Sequence, residues 1–458
     1  MVVFCYSFVL FINSSKALKI MSEIYLTIFF ISLLLFFLGS GIWVALSMIG
    51  VSSVGMMLFT TRPVGDAMAT IIWGTASSWN LVALPLFVWM GEILFRTNLS
   101  ENLFKGLAPW LAKLPGSLLH VNILGCAIFA AISGSSAATV ATVGKMSIPE
   151  LRKRKYPEKL IVGTLAGSGT LGLLIPPSII LIIYGVTVEE SISKLFIAGI
   201  VPGVFLAFLF MIYVIGWSLF NKKLMPKTLE HYTFREKIIN SKELIPIVAL
   251  IVSVIGSIYT GIATASEAAA LGVLGALILS YFQKNLNMDN FKLSVLGATK
   301  TSCMIIFILV GTTFLSLAMG FTGLPKNLAI WIKNLELSPY TLILVLTIFY
   351  IILGMFLDGI SAVVLTMAIV EPMIRQAGFD MIWFGIYLVL VVEMSQITPP
   401  VGFNLFVLQD MAKKNIYYTA KAAFPLFLIM IFAVLVIVIF PELVMWLPSK
   451  MGNPLLKS

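Results

Sequence analysis

Two proline pairs interrupt stretches that are otherwise apolar enough to cross a membrane: Gly172-Leu173-Leu174-Ile175-Pro176-Pro177-Ser178 and Gln396-Ile397-Thr398-Pro399-Pro400-Val401-Gly402. Proline has no N–H, and its ring clashes with the carbonyl four residues back. Each pair therefore removes helix bonds where lipid offers no replacement donor. A chain that does this twice must bury both interruptions against protein or line a cavity with them.

Composition sets the environment. Of 458 residues, 60% are hydrophobic and 11% charged, and the mean hydropathy of +1.04 lies far outside the soluble range. The apolar runs have the length needed to cross a bilayer core, and no polar stretch is long enough for a separate soluble domain. The chain reads as an all-α polytopic membrane protein. Its net charge of +10 fits cytoplasmic loops and contact with anionic membrane lipid, not nucleic acid. Cys5, Cys126 and Cys303 show no metal or disulfide spacing and read as packing residues. Residues 1–20 read as an N-terminal extension or a misassigned start, because Met21 opens a cleaner hydrophobic segment and no signal-peptide pattern precedes it.

Apolar segments 118–150 and 339–376 are each broken by a Gly/Ser-rich centre, Ser133-Gly134-Ser135-Ser136 and Leu357-Asp358-Gly359-Ile360-Ser361, which predicts two re-entrant hairpins. Each hairpin precedes a span carrying a proline pair, 160–190 and 380–410. Gly134 to Pro176 covers 42 positions and Gly359 to Pro399 covers 40. This is an internal repeat, 21–220 and 244–447, joined by a basic loop at 221–243 and followed by a tail at 448–458. Amphipathic stretches Leu103 to Leu114, with Trp110 and Lys113, and Leu324 to Leu335, with Trp331 and Lys333, read as interfacial helices.

Arg152-Lys153-Arg154-Lys155 and the loop bearing Lys222, Lys223, Lys227, Arg235, Lys237 and Lys242 are the strongest basic clusters, so both should be cytoplasmic. The second hairpin then opens from the opposite face, at Arg375 and Asp380, and the repeats are inverted. About ten crossings plus two hairpins result. Inverted repeats with discontinuous helices are a secondary-transporter pattern.

At each break, freed carbonyls and a half-helix N-terminus face the same place. Such oxygens suit Na+. One cation cluster is expected between Ser133–Ser136 and the break from Gly169 to Pro177. A second is expected to join Asp358, Gly359 and Ser361 to Ser395, Thr398 and Pro400. Alternatively, each cluster is simply tight packing. Asp358 is a functional acid or a helix cap, and Glu393 a functional acid or a support for neighbouring ligands. Glu267 completes a capping box with Thr264, and Glu92 pairs with Arg96. Lys145 and Lys300 are possible anion partners or snorkelling residues. His120 reads as interfacial, and His231 lies in the basic loop.

Five phrases in order, Leu84-Pro85-Leu86-Phe87 with Met90-Gly91-Glu92, Ile132 to Ala141, Leu171 to Ser178, Ala263 to Ala270, and Ile397 to Gly402, resemble the large membrane subunit of tripartite ATP-independent periplasmic (TRAP) transporters. The resemblance covers essentially everything after Met21. It implies an ion-transporter-type elevator fold and Na+-coupled import of a small organic acid, a C4-dicarboxylate, sialic acid or another carboxylate. It also implies a small four-helix membrane subunit, an extracytoplasmic solute-binding protein and residence in the bacterial inner membrane. Residue by residue it implies Ser133, Ser136, Gly172, Ile175 and Pro177 at one Na+ site and Asp358, Gly359, Ser395, Thr398 and Pro400 at the other. Ser135, Ser178 and Asp358 would meet substrate, with no organic cofactor. Lys145 departs from the expected small or polar residue.

Enzymatic and channel alternatives fit less well. An intramembrane protease using Ser133 or Ser168 lacks a suitably placed histidine, and a primary pump lacks a phosphate-binding loop. A carbonyl-lined channel usually gains its pore from symmetry between chains, not from repeats within one.

Overall fold

Proline pairs and Gly/Ser centres punctuate the chain where its sequence predicts. The computed structural model describes residues 26, 28–97, 99–226, 232–242, 244–323 and 338–451, and every long element among them is helical. The expected interfacial helix at Leu324 to Leu335, the extension 1–20, Lys227 and His231 lie outside the described residues.

The first hairpin consists of Leu119–Ser133 and Ser136–Lys153, packed on one another. Its turn rests on Gly134 at φ +57°, a left-handed conformation that a Cβ would disfavour. Ser135 caps the second arm by accepting from the Ala138 N–H. The second hairpin consists of Pro339–Gly354 and Gly359–Gln376. The proline pairs sit in similar breaks. Glu158–Leu174 and Ile179–Thr187 meet at 41°; Met381–Ser395 and Phe403–Ala412 are separated by residues 396–402. Both Pro-Pro bonds are cis.

Among the described residues, five helices are long and apolar enough to cross a membrane, or up to eight if each bent pair is one span. This is fewer than about ten because several apolar runs, including Val44–Phe59 and Met381–Ser395, form helices of 10–17 residues.

The chain divides into two compact units, each drawing on both sequence halves. One comprises Met1–Ser77, Ile305–Ser338 and Val364–Gly378. Its core contains Met56, Phe314 and Ala318, covered by Val64, Ala67, Met68 and Ile71. The other comprises Ser78–Met304, Pro339–Val363 and Phe379–Ser458. Here Met381–Ser395 is buried along its whole length, as expected of a helix that is apolar all round. Two of its polar tips are satisfied internally: Trp383 Nε1 donates to Ile437 O at 3.0 Å and Tyr387 Oη to Ile343 O at 2.9 Å. Ile416–Ile439 lies close against Glu158–Gly169, with Gly163 facing the Ala422 carbonyl and Gly167 facing Leu426, the small-residue contact typical of membrane helices.

Two readings of single residues find their expected places. Thr264 and Glu267 form a reciprocal capping box, and Glu92 pairs with Arg96 at 2.8 Å. Trp110 lies on the helix Leu99–Leu111 and donates to Ser241 Oγ at 2.7 Å. His120 is fully buried, with Nε2 2.8 Å from Pro115 O in the turn before its helix. Cys126 is buried, as a packing residue would be, whereas Cys303 is exposed.

Candidate functional site: two helix breaks on one buried acid

Proline dictates the first break. The Gly172 and Leu173 carbonyls would take helix bonds from residues 176 and 177, where no N–H exists. Leu173 O instead accepts the Ser178 hydroxyl at 2.5 Å, while Ser178 Oγ accepts from Leu181 N and caps the next helix. Ser178, a predicted substrate contact, is thus buried in the break itself.

The tip of the first hairpin lies directly on this break. A Cβ on Gly172 would stand 2.6 Å from Ser136 Cα and 2.7 Å from Ser135 O, and the Ile179 N–H donates to Gly134 O at 3.4 Å. Ser133 Oγ is 2.9 Å from Thr139 Oγ1, and Thr139 in turn donates to Ser135 O at 2.8 Å. Of the five residues assigned to the first cluster, Ser136, Gly172 and Pro177 are buried, and Ser133 and Ile175 half-buried.

The second break is built alike. The Ser395 carbonyl faces residue 399, a proline, and accepts instead from Thr398 N at 3.1 Å. Thr398 Oγ1 donates back to Met394 O at 2.8 Å, and Gln396 O takes the Asn404 N–H at 3.2 Å. This break rests on the bend of the second hairpin. Val401 N donates to Met355 O at 3.2 Å, Gln396 Nε2 to Leu357 O at 3.4 Å, and Gly354 leaves room for only the Ser395 hydroxyl. Asp358 caps the helix that begins at Gly359, accepting from Ile360 N and Ser361 N at 3.1 and 3.2 Å. Unlike the first cluster this one reaches the protein surface: Asp358, Pro399 and Pro400 are exposed, while Gly359 and Ser395 are buried.

The two breaks touch. Gly359 lies beside Val392 of the second broken span and near Leu173 and Ile180, which flank the first break. Across this contact Ser136 Oγ donates to Glu393 Oε1. Glu393 is 1% exposed, and its Oε2 is buried without a hydrogen-bond partner among the described residues. Sequence left Glu393 undecided between two roles; its position in the centre of an apolar run was the available signal. Lys145 and Lys300, the possible anion partners, are exposed on their helices.

Among the described residues no three His, Cys, Asp or Glu side chains converge. A cation held here would be bound mainly by hydroxyl and carbonyl oxygens, which suit a hard monovalent ion and not a transition metal.

Residues 29–443 match the family model described as "Tripartite ATP-independent periplasmic transporter, DctM component". The chain is 31% identical over 398 residues to the C4-dicarboxylate TRAP transporter large permease protein DctM of Pseudomonas aeruginosa, covering 87% of this chain and 92% of that one. It is 28% identical to the sialic acid TRAP transporter large permease protein SiaM of Vibrio cholerae, over 90% and 95% of the two chains. The crystal structure of the Alcanivorax borkumensis YdaH transporter shares the fold, with TM-score 0.59 and 13% identity over 91% of this chain and 98% of that one.

Proposed function

Because the chain belongs to the DctM-component family of tripartite ATP-independent periplasmic transporters, we propose that it is the sodium-coupled permease subunit of a binding-protein-dependent importer of a small organic acid. The observation that carries the reading is the meeting of two oxygen-rich helix breaks, each seated on a hairpin bend, in one compact unit. A secondary transporter needs ion and substrate sites of this kind near the middle of the membrane.

The donors fit sodium. Each cluster offers neutral hydroxyls and backbone carbonyls, from Ser133, Ser136, Gly172, Ile175 and Pro177 in one case and Gly359, Ser395, Thr398 and Pro400 in the other, with Asp358 at the rim. Sodium would supply the coupling energy, and the chain's own part is to hold these oxygens ready. Ser135 and Asp358 lie at half-helix N-termini, where unpaired N–H groups and the helix dipole favour a carboxylate. Since hairpin tips and breaks share one unit, they can move as one piece in an elevator cycle. The relatives whose names give C4-dicarboxylate and sialic acid point to carboxylates as the class to test first.

The test is uptake of labelled carboxylates into proteoliposomes holding this chain, its small membrane subunit and the cognate binding protein. Uptake should require an inward sodium gradient and all three components. Uptake that continues at full rate with potassium replacing sodium would overturn the coupling, and uptake by this chain alone would overturn the partner requirement.

A further inference from the structure

We propose that Glu393 is the anionic ligand of the first sodium cluster, so that a site formed otherwise by the first half of the chain is completed by the second. The inference rests on the sodium reading above and deepens it.

Three observations carry it. Glu393 is buried on a helix that is buried on every side, and its carboxylate forms no ion pair among the described residues. A charge so placed is tolerated only with a compensating partner. One oxygen accepts the Ser136 hydroxyl, whereas the other is buried and has no donor among the described residues. A carboxylate that merely anchored the hairpin tip would have both oxygens satisfied by protein. Ser136, whose O–H is directed at Glu393, keeps its lone pairs for a cation, and its backbone stands against Gly172, whose carbonyl loses its helix partner to Pro176. Ser136 thus ties the carboxylate to the hairpin tip that rests on the first break.

Helix geometry explains how one span serves both clusters. Glu393 and Ser395 are two positions apart, about 200° around the axis. Glu393 accordingly meets Ser136 of the first hairpin, while Ser395 meets Gly354 of the second. In this arrangement the helix before the second break is a shared wall with an acid on one side and a hydroxyl on the other. A cation on Glu393 would bind the first hairpin tip to the second broken span.

The experiment measures sodium binding without transport. The full-length chain in detergent is melted in increasing sodium chloride, with choline chloride holding ionic strength constant, and the sodium concentration giving half the maximal stabilisation is read for wild type and Glu393→Gln. Glutamine keeps the shape and an acceptor for Ser136 but removes the charge. Its half-maximal sodium concentration should rise about tenfold or more, each tenfold being worth about 1.4 kcal/mol. Glu92→Gln, in the ion pair with Arg96 on another helix, should leave the value unchanged. If Glu393→Gln does not fold, Glu393→Asp, which withdraws the charge by one methylene, decides in its place and should weaken sodium several-fold. A variant with the wild-type sodium midpoint overturns the role of Glu393 and leaves the sodium reading standing. A wild type that sodium does not stabilise beyond choline overturns both.

Discussion

Gly172 shows how much a single hydrogen atom in place of a methyl group decides here. A Cβ would meet the backbone of Ser135 and Ser136 at 2.6–2.7 Å, and backbone cannot rotate aside as a side chain can. Gly172→Ala should therefore push the hairpin tip off the break. Overpacking of this kind costs roughly 1–3 kcal/mol, and the melting temperature in detergent should fall. Sodium-driven uptake should fall by more than the stability loss explains, since the displaced residues are the proposed ligands. Gly216→Ala is the control. Among the described residues nothing stands within 4 Å of a Cβ there, and inside Ile192–Phe220, one turn before its C-terminal end, alanine should stabilise by about 0.5–1 kcal/mol. Equal behaviour of the two variants would remove the packing argument. Sequence marked Gly172 only as part of a proline phrase. That it presses on a chain segment some 36 positions earlier is a property of tertiary packing, which no local pattern encodes.

The half-helices are the elements on which the proposed function turns, and their caps can be tested apart from the proposed ligands. Asp358 accepts two N–H groups at the start of Gly359–Gln376, so Asp358→Ala should cost about 0.5–2 kcal/mol of stability. Asparagine caps as well as aspartate, and Asp358→Asn should melt within a few tenths of a kcal/mol of wild type. If the carboxylate also serves the second cluster, both variants should lose sodium-dependent uptake equally. Unchanged uptake in Asp358→Asn would reduce Asp358 to a cap. The hairpins and breaks were legible because glycine, serine and proline act locally through φ restriction, missing donors and side-chain caps. Gly134, Ser135 and Ser178 do in the structure what their residue types predict. The burial of His120 was not legible, since a histidine beside a turn looks alike whether the next helix covers it or lipid headgroups do. Nor was the Ser136–Glu393 bond, which joins residues 257 positions apart.

At the scale of the whole molecule the open question is direction: whether the two halves, alike in element order, enter the membrane from opposite sides. Charge argues that they do. Arg152 to Lys155 close the first hairpin, while the second closes between Arg375 and Asp380 with no such cluster. Part of the first cluster is locally neutralised, Arg152 by Glu158 and Arg154 by Glu150. Lysine and arginine nonetheless count toward orientation even where acids neighbour them. Lys153, Lys155 and the lysines at 222 and 223 lie on the same side in this reading. The check is labelling of single cysteines with a membrane-impermeant maleimide, after Cys5, Cys126 and Cys303 are replaced by serine or alanine; exposed Cys303 would otherwise give background. Cysteines at Lys155 and Lys223 should react only after the cells are permeabilised, and one at Gln376 or Ala377 should react in intact cells. If all of them share one accessibility, the halves are parallel. The two breaks could then not face each other as mirror-related gates, and an alternating-access cycle built on inversion would fail even though the ion clusters remained intact.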